Sequence, residues 1–284
     1  MGHRGAPPLR QLLAKRECAK RLPMSTETQK FHRDGQVMTY QSLGDVEAPL
    51  QLFWAHGWGQ DRGSFLPLTE SWRNNTRNLL IDFPGFGASP RPAANWGTAD
   101  YADFTSAFLR SLPSARRIWI GHSFGCRIGL QLAARHPESV NALCLIAAAG
   151  LPRQRSPLSQ LKIQSKVALY KTLRLLPFSD KEQLRDQFGS ADYRAAGEMR
   201  AILTRVVNED LSNVAKLVRC PVALIYGAAD DETPPEIGRR LAKIIPDASY
   251  VELDGLDHYS VLGAGRHQIA YQLKRFVEKL EEAT

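Results

Sequence analysis

Ser123 is the residue of this sequence whose surroundings most clearly indicate chemistry. It is the centre of residues 121–125, Gly-His-Ser-Phe-Gly, which follow an apolar run over residues 118–120 and precede a helical pattern. A serine on a tight turn from a strand into a helix has strained backbone angles and needs small neighbours, which the two glycines supply. Such a turn presents the hydroxyl above the edge of a sheet, where it could attack a carbonyl carbon. The alternative is a glycine-flanked serine that only caps a helix.

His258 is the predicted base for this serine, because a serine hydroxyl is a weak nucleophile until a base accepts its proton. It follows a predicted strand over residues 249–253 across the turn Asp254-Gly255. Functional groups gather at the carboxyl edge of open α/β sheets, which is where this loop begins. The other six histidines adjoin other motifs or have positions typical of tail and surface residues: His3, His32, His56, His122, His136 and His267. A structural or solvated loop histidine is the alternative.

Asp230 is the predicted acid, whose role is to fix the tautomer of His258 and to stabilise its protonated form. In the chain order serine, acid, histidine, the carboxylate follows a strand between the other two residues. The predicted strand over residues 222–226 is followed by three adjacent carboxylates, Asp230, Asp231 and Glu232. Asp230 is the first of them and so the nearest to the sheet edge, whereas its neighbours suit the first turn of a helix. The alternative is that all three only cap that helix.

Residues 56–59, His-Gly-Trp-Gly, follow the predicted strand over residues 50–55 and supply a further candidate feature. Glycines let backbone N–H groups point into a site, so the amides of Trp58 and Phe124 could hold the oxyanion of a tetrahedral intermediate. A plain Gly-rich turn is the alternative. Residues 82–89 form another Gly/Pro turn, which we expect to be structural, with Asp82 accepting hydrogen bonds from the backbone.

The candidate residues must be positioned by a sheet whose strands end close to them. Strand-like and helix-like segments alternate, which predicts an α/β fold with a mostly parallel sheet flanked by helices. Several strand-like segments are nearly continuous apolar runs, as buried parallel strands require. The predicted strands are residues 36–41, 50–55, 78–82, 117–121, 142–147, 222–226 and 249–253, and the predicted helices are residues 99–111, 124–135, 235–245 and 268–281.

One long segment, residues 151–214, interrupts this alternation. It contains no convincing strand, and helical patterns recur over residues 158–176 and 195–207. We therefore expect a helical cap, or lid, inserted between two parts of the core at residues 34–150 and 215–284. Residues 1–33 are predicted to be a basic N-terminal extension whose composition permits disorder.

Composition and charge exclude several classes of protein. The net charge of +8 is concentrated in residues 1–23, where six Lys or Arg side chains accompany one Glu, so no nucleic-acid surface is expected. No apolar stretch approaches the roughly 20 residues of a transmembrane helix. The first residues lack the apolar centre of a signal peptide, and we expect a cytoplasmic protein without stable membrane insertion. The four cysteines are far apart, so no metal site is expected. We also expect no cofactor.

The chain resembles the α/β-hydrolase superfamily over residues 34–284, because five motifs occur in the order of that superfamily. They are residues 56–59, 82–89, 121–125, 227–234 and 255–258. The resemblance implies that the three candidate residues form a catalytic triad, that the two amides are backbone donors, and that the insertion is a lid over the substrate pocket. Serine rather than aspartate at position 123 disfavours haloalkane dehalogenase and epoxide hydrolase chemistry. Cys126 is a departure, since the similar proteins usually have glycine there.

The leading hypothesis is a serine hydrolase that cleaves a small or medium carboxylic ester through an acyl-enzyme. A related alternative is carbon–carbon bond hydrolysis, as in the similar meta-cleavage product hydrolases; another class is a catalytically silent binding protein on this fold. Residues 151–176 have six basic side chains and no acid, which is typical of a solvated helix face but also suits an acidic carrier protein, as in the similar pimeloyl-carrier methyl ester esterases. The six are Arg153, Arg155, Lys162, Lys166, Lys171 and Arg174. No substrate-binding residue is predicted.

Overall fold

An eight-stranded sheet forms the centre of the molecule in the computed structural model, which describes residues 27–74, 76–154, 156–174 and 190–283. In chain order the strands are β1 (Thr28–Arg33), β2 (Gln36–Gly44), β3 (Leu50–Ala55), β4 (Arg77–Asp82), β5 (Arg116–His122), β6 (Ala142–Ile146), β7 (Val222–Gly227) and β8 (Ala248–Leu253). Across the sheet they lie in the order β1-β2-β4-β3-β5-β6-β7-β8. The two pairings of β2 are antiparallel and all other pairings are parallel. The predicted class, α/β with a mostly parallel sheet, is confirmed.

Helices cover both faces of this sheet. They are α1 (Leu66–Thr69), α2 (Thr98–Ser111), α3 (Phe124–Arg135), α4 (Pro157–Arg174), α5 (Ala191–Ala195), α6 (Arg200–Asn208), α7 (Ser212–Ala215), α8 (Pro235–Ile244) and α9 (Arg266–Glu282). Strand β5 shows how the two faces are built, because Trp119 joins an apolar cluster on one face while Ile118 and Ile120 join a cluster on the other. The first cluster also contains residues of α2, α3 and α8, and the second contains residues of α9. Burial on both faces is why the strands are nearly continuous apolar runs.

The sheet begins earlier in the chain than the sequence analysis predicts. The expected extension over residues 1–33 includes β1, which pairs with β2 through a turn at Asp34 and Gly35. This strand was missed because its residues are mostly exposed and polar, and Phe31 is its one large apolar side chain. Its stability comes from pairing and from the packing of Phe31 on Phe104 and Phe108. The prediction for residues 1–26 lies outside the described residues.

The segment between β6 and β7 consists of helices and turns in the part that is described, residues 151–154, 156–174 and 190–221. Helix α6 buries Ile202, Leu203 and Val206. Helix α4, in contrast, exposes Leu158 and Leu161. Within the described ranges, no helix is both long and apolar enough to cross a membrane.

Candidate active site

Ser123 lies at the junction of β5 and α3 in a backbone conformation that few residues adopt. Its φ of 47° and ψ of −100° are strained for a residue with a side chain, at a cost of roughly 1–3 kcal/mol. Two backbone hydrogen bonds hold the turn: Ser123 N–H donates to the carbonyl of Ile146, and Gly125 N–H donates to the carbonyl of His56, both at 3.1 Å. A Cβ atom at Gly125 would lie 2.1 Å from the carbonyl oxygen of Ala55, so only glycine fits. The predicted strand-to-helix turn is therefore present.

His258 and Asp230 form a buried pair at the carboxyl edge of the sheet. His258 Nδ1 lies 2.8 Å from Asp230 Oδ2, and the two residues are only 6% and 2% exposed. Because a carboxylate oxygen can only accept, Nδ1 carries the proton and donates it to Asp230. In the neutral ring, Nε2 is then unprotonated and can accept a proton from another group.

Asp230 is held in place by the chain that follows it. Its Oδ1 accepts hydrogen bonds from the backbone N–H of Glu232 at 2.9 Å and of Thr233 at 2.8 Å. The Thr233 hydroxyl also lies 3.0 Å from Asp230 Oδ2. Asp231 and Glu232 are exposed. Of the three adjacent carboxylates, Asp230 is thus the one that the structure brings to His258.

A cavity of about 530 Å³ opens above this edge of the sheet, and Ser123, His258, Trp58 and Phe124 all line it. The backbone N–H groups of Trp58 and Phe124 make no hydrogen bond to any described residue, whereas such groups are usually paired in folded proteins. Phe124 is the first residue of α3, so its N–H has no acceptor within the helix and lies at the positive end of the helix dipole. Neither N–H group is therefore occupied by an acceptor within the described residues.

His122 contacts the loop that holds His258, a role that the sequence analysis did not predict. Its Nε2–H donates to the carbonyl oxygen of His258 at 2.9 Å, and the two ring centroids are 4.8 Å apart. Burial, helped by the nearby His258, lowers the pKa of His122 to about 3, so this ring is neutral at physiological pH. The available signal was its position as the last residue of a buried strand, directly before the candidate nucleophile.

Two other residues of the sequence motifs support the backbone. His56 Nε2 accepts a hydrogen bond from the N–H of Phe83 at 3.2 Å, and burial lowers the pKa of His56. Asp82 is fully buried and accepts hydrogen bonds from the N–H of Arg62 at 2.8 Å and of Ala88 at 2.9 Å. The expected structural role of Asp82 agrees with these contacts.

Comparison with known proteins assigns the family. A family model described as "Alpha/beta hydrolase family" matches residues 52–270, which is more than half of the chain and includes all five candidate site residues. The chain therefore belongs to the alpha/beta hydrolase family, and the predicted resemblance and hydrolase class are confirmed.

Individual relatives are named for different activities. The chain is 29% identical over 223 residues to a pimeloyl-[acyl-carrier protein] methyl ester esterase from Chromobacterium violaceum, covering 72% of this chain and 85% of the relative. It is 25% identical over 228 residues to a 2-(acetamidomethylene)succinate hydrolase from Mesorhizobium japonicum, covering 74% and 82%. A solved structure of a putative lipase from Acinetobacter baumannii has a TM-score of 0.70 and 19% identity, covering 91% of this chain and 93% of that one. This structural likeness concerns the fold.

Proposed function

We propose that the protein is a serine hydrolase that cleaves a small or medium carboxylic ester through an acyl-enzyme. Ser123 is the nucleophile, His258 the general base, and Asp230 the acid that orients the base. One observation carries the proposal: Ser123 at its strained turn and the Asp230-bound His258 line the same cavity. A strained serine at a helix N-terminus that shares a cavity with an oriented histidine supports nucleophilic acyl transfer.

The proposed cycle begins when Ser123 Oγ bonds to the ester carbonyl carbon and its proton moves to His258 Nε2. The electron pair of the carbonyl collects on its oxygen, which accepts hydrogen bonds from the N–H groups of Trp58 and Phe124. Each such donor lowers the barrier by about 3 kcal/mol. When the carbon–oxygen bond of the ester breaks, the leaving alcohol takes the proton from His258. Water attacks the acyl-enzyme in the same way, and Ser123 leaves with its proton as the carboxylic acid departs.

We also propose that residues 151–214 act as a lid on a core formed by residues 28–150 and 215–284. Leu151, Leu203 and Val206 from this segment line the cavity above Ser123. An apolar wall of this kind suits an acyl chain. The start of the core at residue 28 follows from the position of β1.

A carrier-protein-linked acyl ester is a second candidate substrate, because the Chromobacterium violaceum relative is named for such an ester. The basic side chains of residues 151–176 would complement an acidic partner. Arg153 and Lys162 are exposed, and the other four side chains of this basic set lie outside the described residues. Turnover of an acyl methyl ester on a carrier protein, compared with the same free methyl ester, separates the two candidates.

We further propose that the protein acts in the cytoplasm. Free thiols at Cys126, Cys144 and Cys220 support this, since reducing compartments keep cysteines unpaired. Cell fractionation with an antibody against the protein tests the location, and recovery in the periplasmic or extracellular fraction would contradict it.

The deciding experiment compares the wild-type protein with Ser123→Ala and with Ser165→Ala, whose serine is on the exposed surface of α4. Each protein is treated with a fluorophosphonate label and with p-nitrophenyl esters of increasing acyl length. We expect labelling and ester turnover in the wild type and in Ser165→Ala, and neither in Ser123→Ala. Absence of both in the wild type would overturn the proposal and favour a silent binding protein. Labelling without turnover of any ester would favour the carbon–carbon bond hydrolase.

A further inference from the structure

Arg127 is a buried cation in the wall of the candidate active site. It lies on α3, lines the same cavity as Ser123 and His258, and is only 9% exposed. Burial lowers the pKa of this guanidinium, although the side chain remains a cation at any physiological pH. A buried charge is costly unless a partner compensates it. Its surroundings should therefore contain either a protein partner or a place for a ligand.

Arg127 forms no salt bridge within the described residues, although the nearby carboxylates of Glu209 and Asp210 favour its charged form. Its Nη1 donates to the carbonyl oxygen of Glu209 at 3.1 Å, and no carboxylate lies within 4.0 Å of it in the described ranges. The carboxylate of Glu209 instead accepts hydrogen bonds from the backbone N–H of Thr98, at 3.1 and 3.2 Å, and from the Thr98 hydroxyl. A guanidinium has five N–H donors, so most of those of Arg127 are left for another acceptor. The other nitrogens of its guanidinium make no hydrogen bond to a described residue, and they are not sealed away from solvent.

The position of Arg127 along α3 relates it to the nucleophile. Phe124 and Arg127 are three residues apart and so lie on neighbouring parts of one helix face, and both line the cavity. At a rise of about 1.5 Å per residue, Ser123 and Arg127 are separated by roughly 6 Å along the helix axis. Apolar side chains of Leu203, Val206 and Ile237 form other parts of the wall.

We infer that Arg127 binds a carboxylate of the substrate, so that the preferred ester carries a second, anionic group besides the bond that is cleaved. This inference rests on the proposed ester hydrolase function and names its substrate class. The fork of donors on a guanidinium matches the two oxygens of a carboxylate, and such charge-assisted hydrogen bonds are the strong ones. The apolar part of the wall accommodates the methylene groups between the carboxylate and the ester.

The other charges around the cavity do not give the same selectivity. Arg153, Asp192 and Glu232 line it but are exposed, so water and salt screen them. Glu209 also lines the cavity and is half-buried, but its carboxylate accepts hydrogen bonds from Thr98. Arg127 is the buried cation among the described lining residues. Removal of Arg127 should therefore act on an anionic substrate far more than removal of Arg153.

The experiment uses two pairs of esters that differ in one carboxylate. Phenyl hemiglutarate and phenyl valerate place the difference in the acyl group, and 4-carboxyphenyl butyrate and phenyl butyrate place it in the leaving group. The value of kcat/KM is measured for each ester with the wild type, Arg127→Gln, Arg127→Lys and Arg153→Gln. Lysine reaches nearly as far as arginine and can still donate to the carbonyl of Glu209, so Arg127→Lys is the variant that can keep that contact between α3 and the insertion. Melting temperatures identify any variant that does not fold.

In at least one pair, we expect Arg127→Gln to lower kcat/KM for the anionic ester by about tenfold to a hundredfold. Its value for the neutral ester should change by less than about threefold, and Arg127→Lys should retain part of the anionic preference. An equal loss on both esters of both pairs would show a merely structural role and overturn the inference. An equal anionic loss in Arg153→Gln would assign the effect to general charge and also overturn it. Neither result affects the proposed ester hydrolase, which fails if the wild type cleaves no ester, whether or not Ser123 takes the label.

Discussion

The carboxyl edge of the sheet and helix α4 of the insertion differ in what they bury. At the sheet edge, the polar side chains of Asp230 and His258 are almost wholly enclosed and hydrogen-bonded to each other. On α4, the apolar side chains of Leu158, Leu161 and Leu169 are 64%, 60% and 51% exposed. The usual distribution of polar and apolar groups is thus reversed in both regions.

The two reversals have different physical meanings. A buried polar network is stable only when its members satisfy one another, so it permits a single arrangement. A helix with exposed apolar groups and few packing contacts has low local stability and offers a surface for another apolar group. We interpret the sheet edge as the part that sets the chemistry, and the insertion as a part that takes up different substrates. If the core permits a single arrangement, substitutions at the sheet edge should cost far more than comparable substitutions at exposed positions.

The largest effect is expected from Asp230→Asn. Because Oδ1 of residue 230 accepts two backbone N–H groups, the asparagine would direct its NH₂ group at His258 Nδ1. That group is a donor, so the histidine proton would move to Nε2, and the ring could not accept the proton of Ser123. Ester turnover should fall roughly ten-thousandfold, measured as kcat. The exposed Asp231→Asn is the control and should change kcat by less than about twofold; similar losses in both variants would contradict the assignment of Asp230.

A second prediction compares the stability lost when Gly125 of the core and Gly197 of the insertion are each replaced by alanine. In Gly125→Ala, the new Cβ atom would lie 2.1 Å from the backbone oxygen of Ala55, which cannot move without shifting β3. We expect a loss of about 3 kcal/mol in the free energy of unfolding. Gly197 has a φ of +48° and no atom within 4 Å of the equivalent position, so Gly197→Ala should lose only about 1 kcal/mol. Urea unfolding measures both losses, and equal values would mean that the turn at Ser123 is not the tighter of the two.

Much of the core could be predicted from the sequence because its signals are local. Buried parallel strands are apolar runs, and the turn at Ser123 needs small residues at fixed offsets, so both are visible without knowledge of the fold. Strand β1 could not be predicted, because its exposed polar residues are stabilised by pairing with β2 and by one aromatic contact. Its register depends on a partner strand rather than on its own pattern.

The candidate site also contains residues that could be predicted from the sequence and residues that could not. Ser123 and His258 could be named from motif and position, but the choice of Asp230 over Asp231 depends on which carboxylate folding brings to the histidine. Arg127 has no sequence signal at all, because an arginine on a helix is usually solvated. Its burial in the wall of the cavity that Ser123 lines becomes apparent only in the folded structure, where Arg127 contacts Glu209 of the insertion.

A smaller effect than that of Gly125→Ala is expected from the neutral ring of His122. In the unfolded chain a histidine binds a proton near pH 6.5, whereas the pKa of buried His122 is lowered to about 3. Between these pH values the unfolded state binds the extra proton, so the free energy of unfolding decreases as the pH falls. At pH 5.0 the decrease from this one residue is about 2 kcal/mol. Most of this decrease in the free energy of unfolding should be absent in His122→Gln, because the glutamine side chain takes up no proton.

The difference in the free energy of unfolding between the wild type and His122→Gln should therefore narrow by about 2 kcal/mol from pH 7.5 to pH 5.0. Urea unfolding at the two pH values measures this, and the buried His56 contributes equally to both proteins and cancels. His267→Gln, at an exposed position of α9, is the matched control. If the difference in the free energy of unfolding between the wild type and His122→Gln stays constant, the His122 ring of the wild type takes up a proton in the folded state. The carbonyl of His258 would then accept from a charged imidazolium, and the base would lie beside a positive charge that opposes its own protonation.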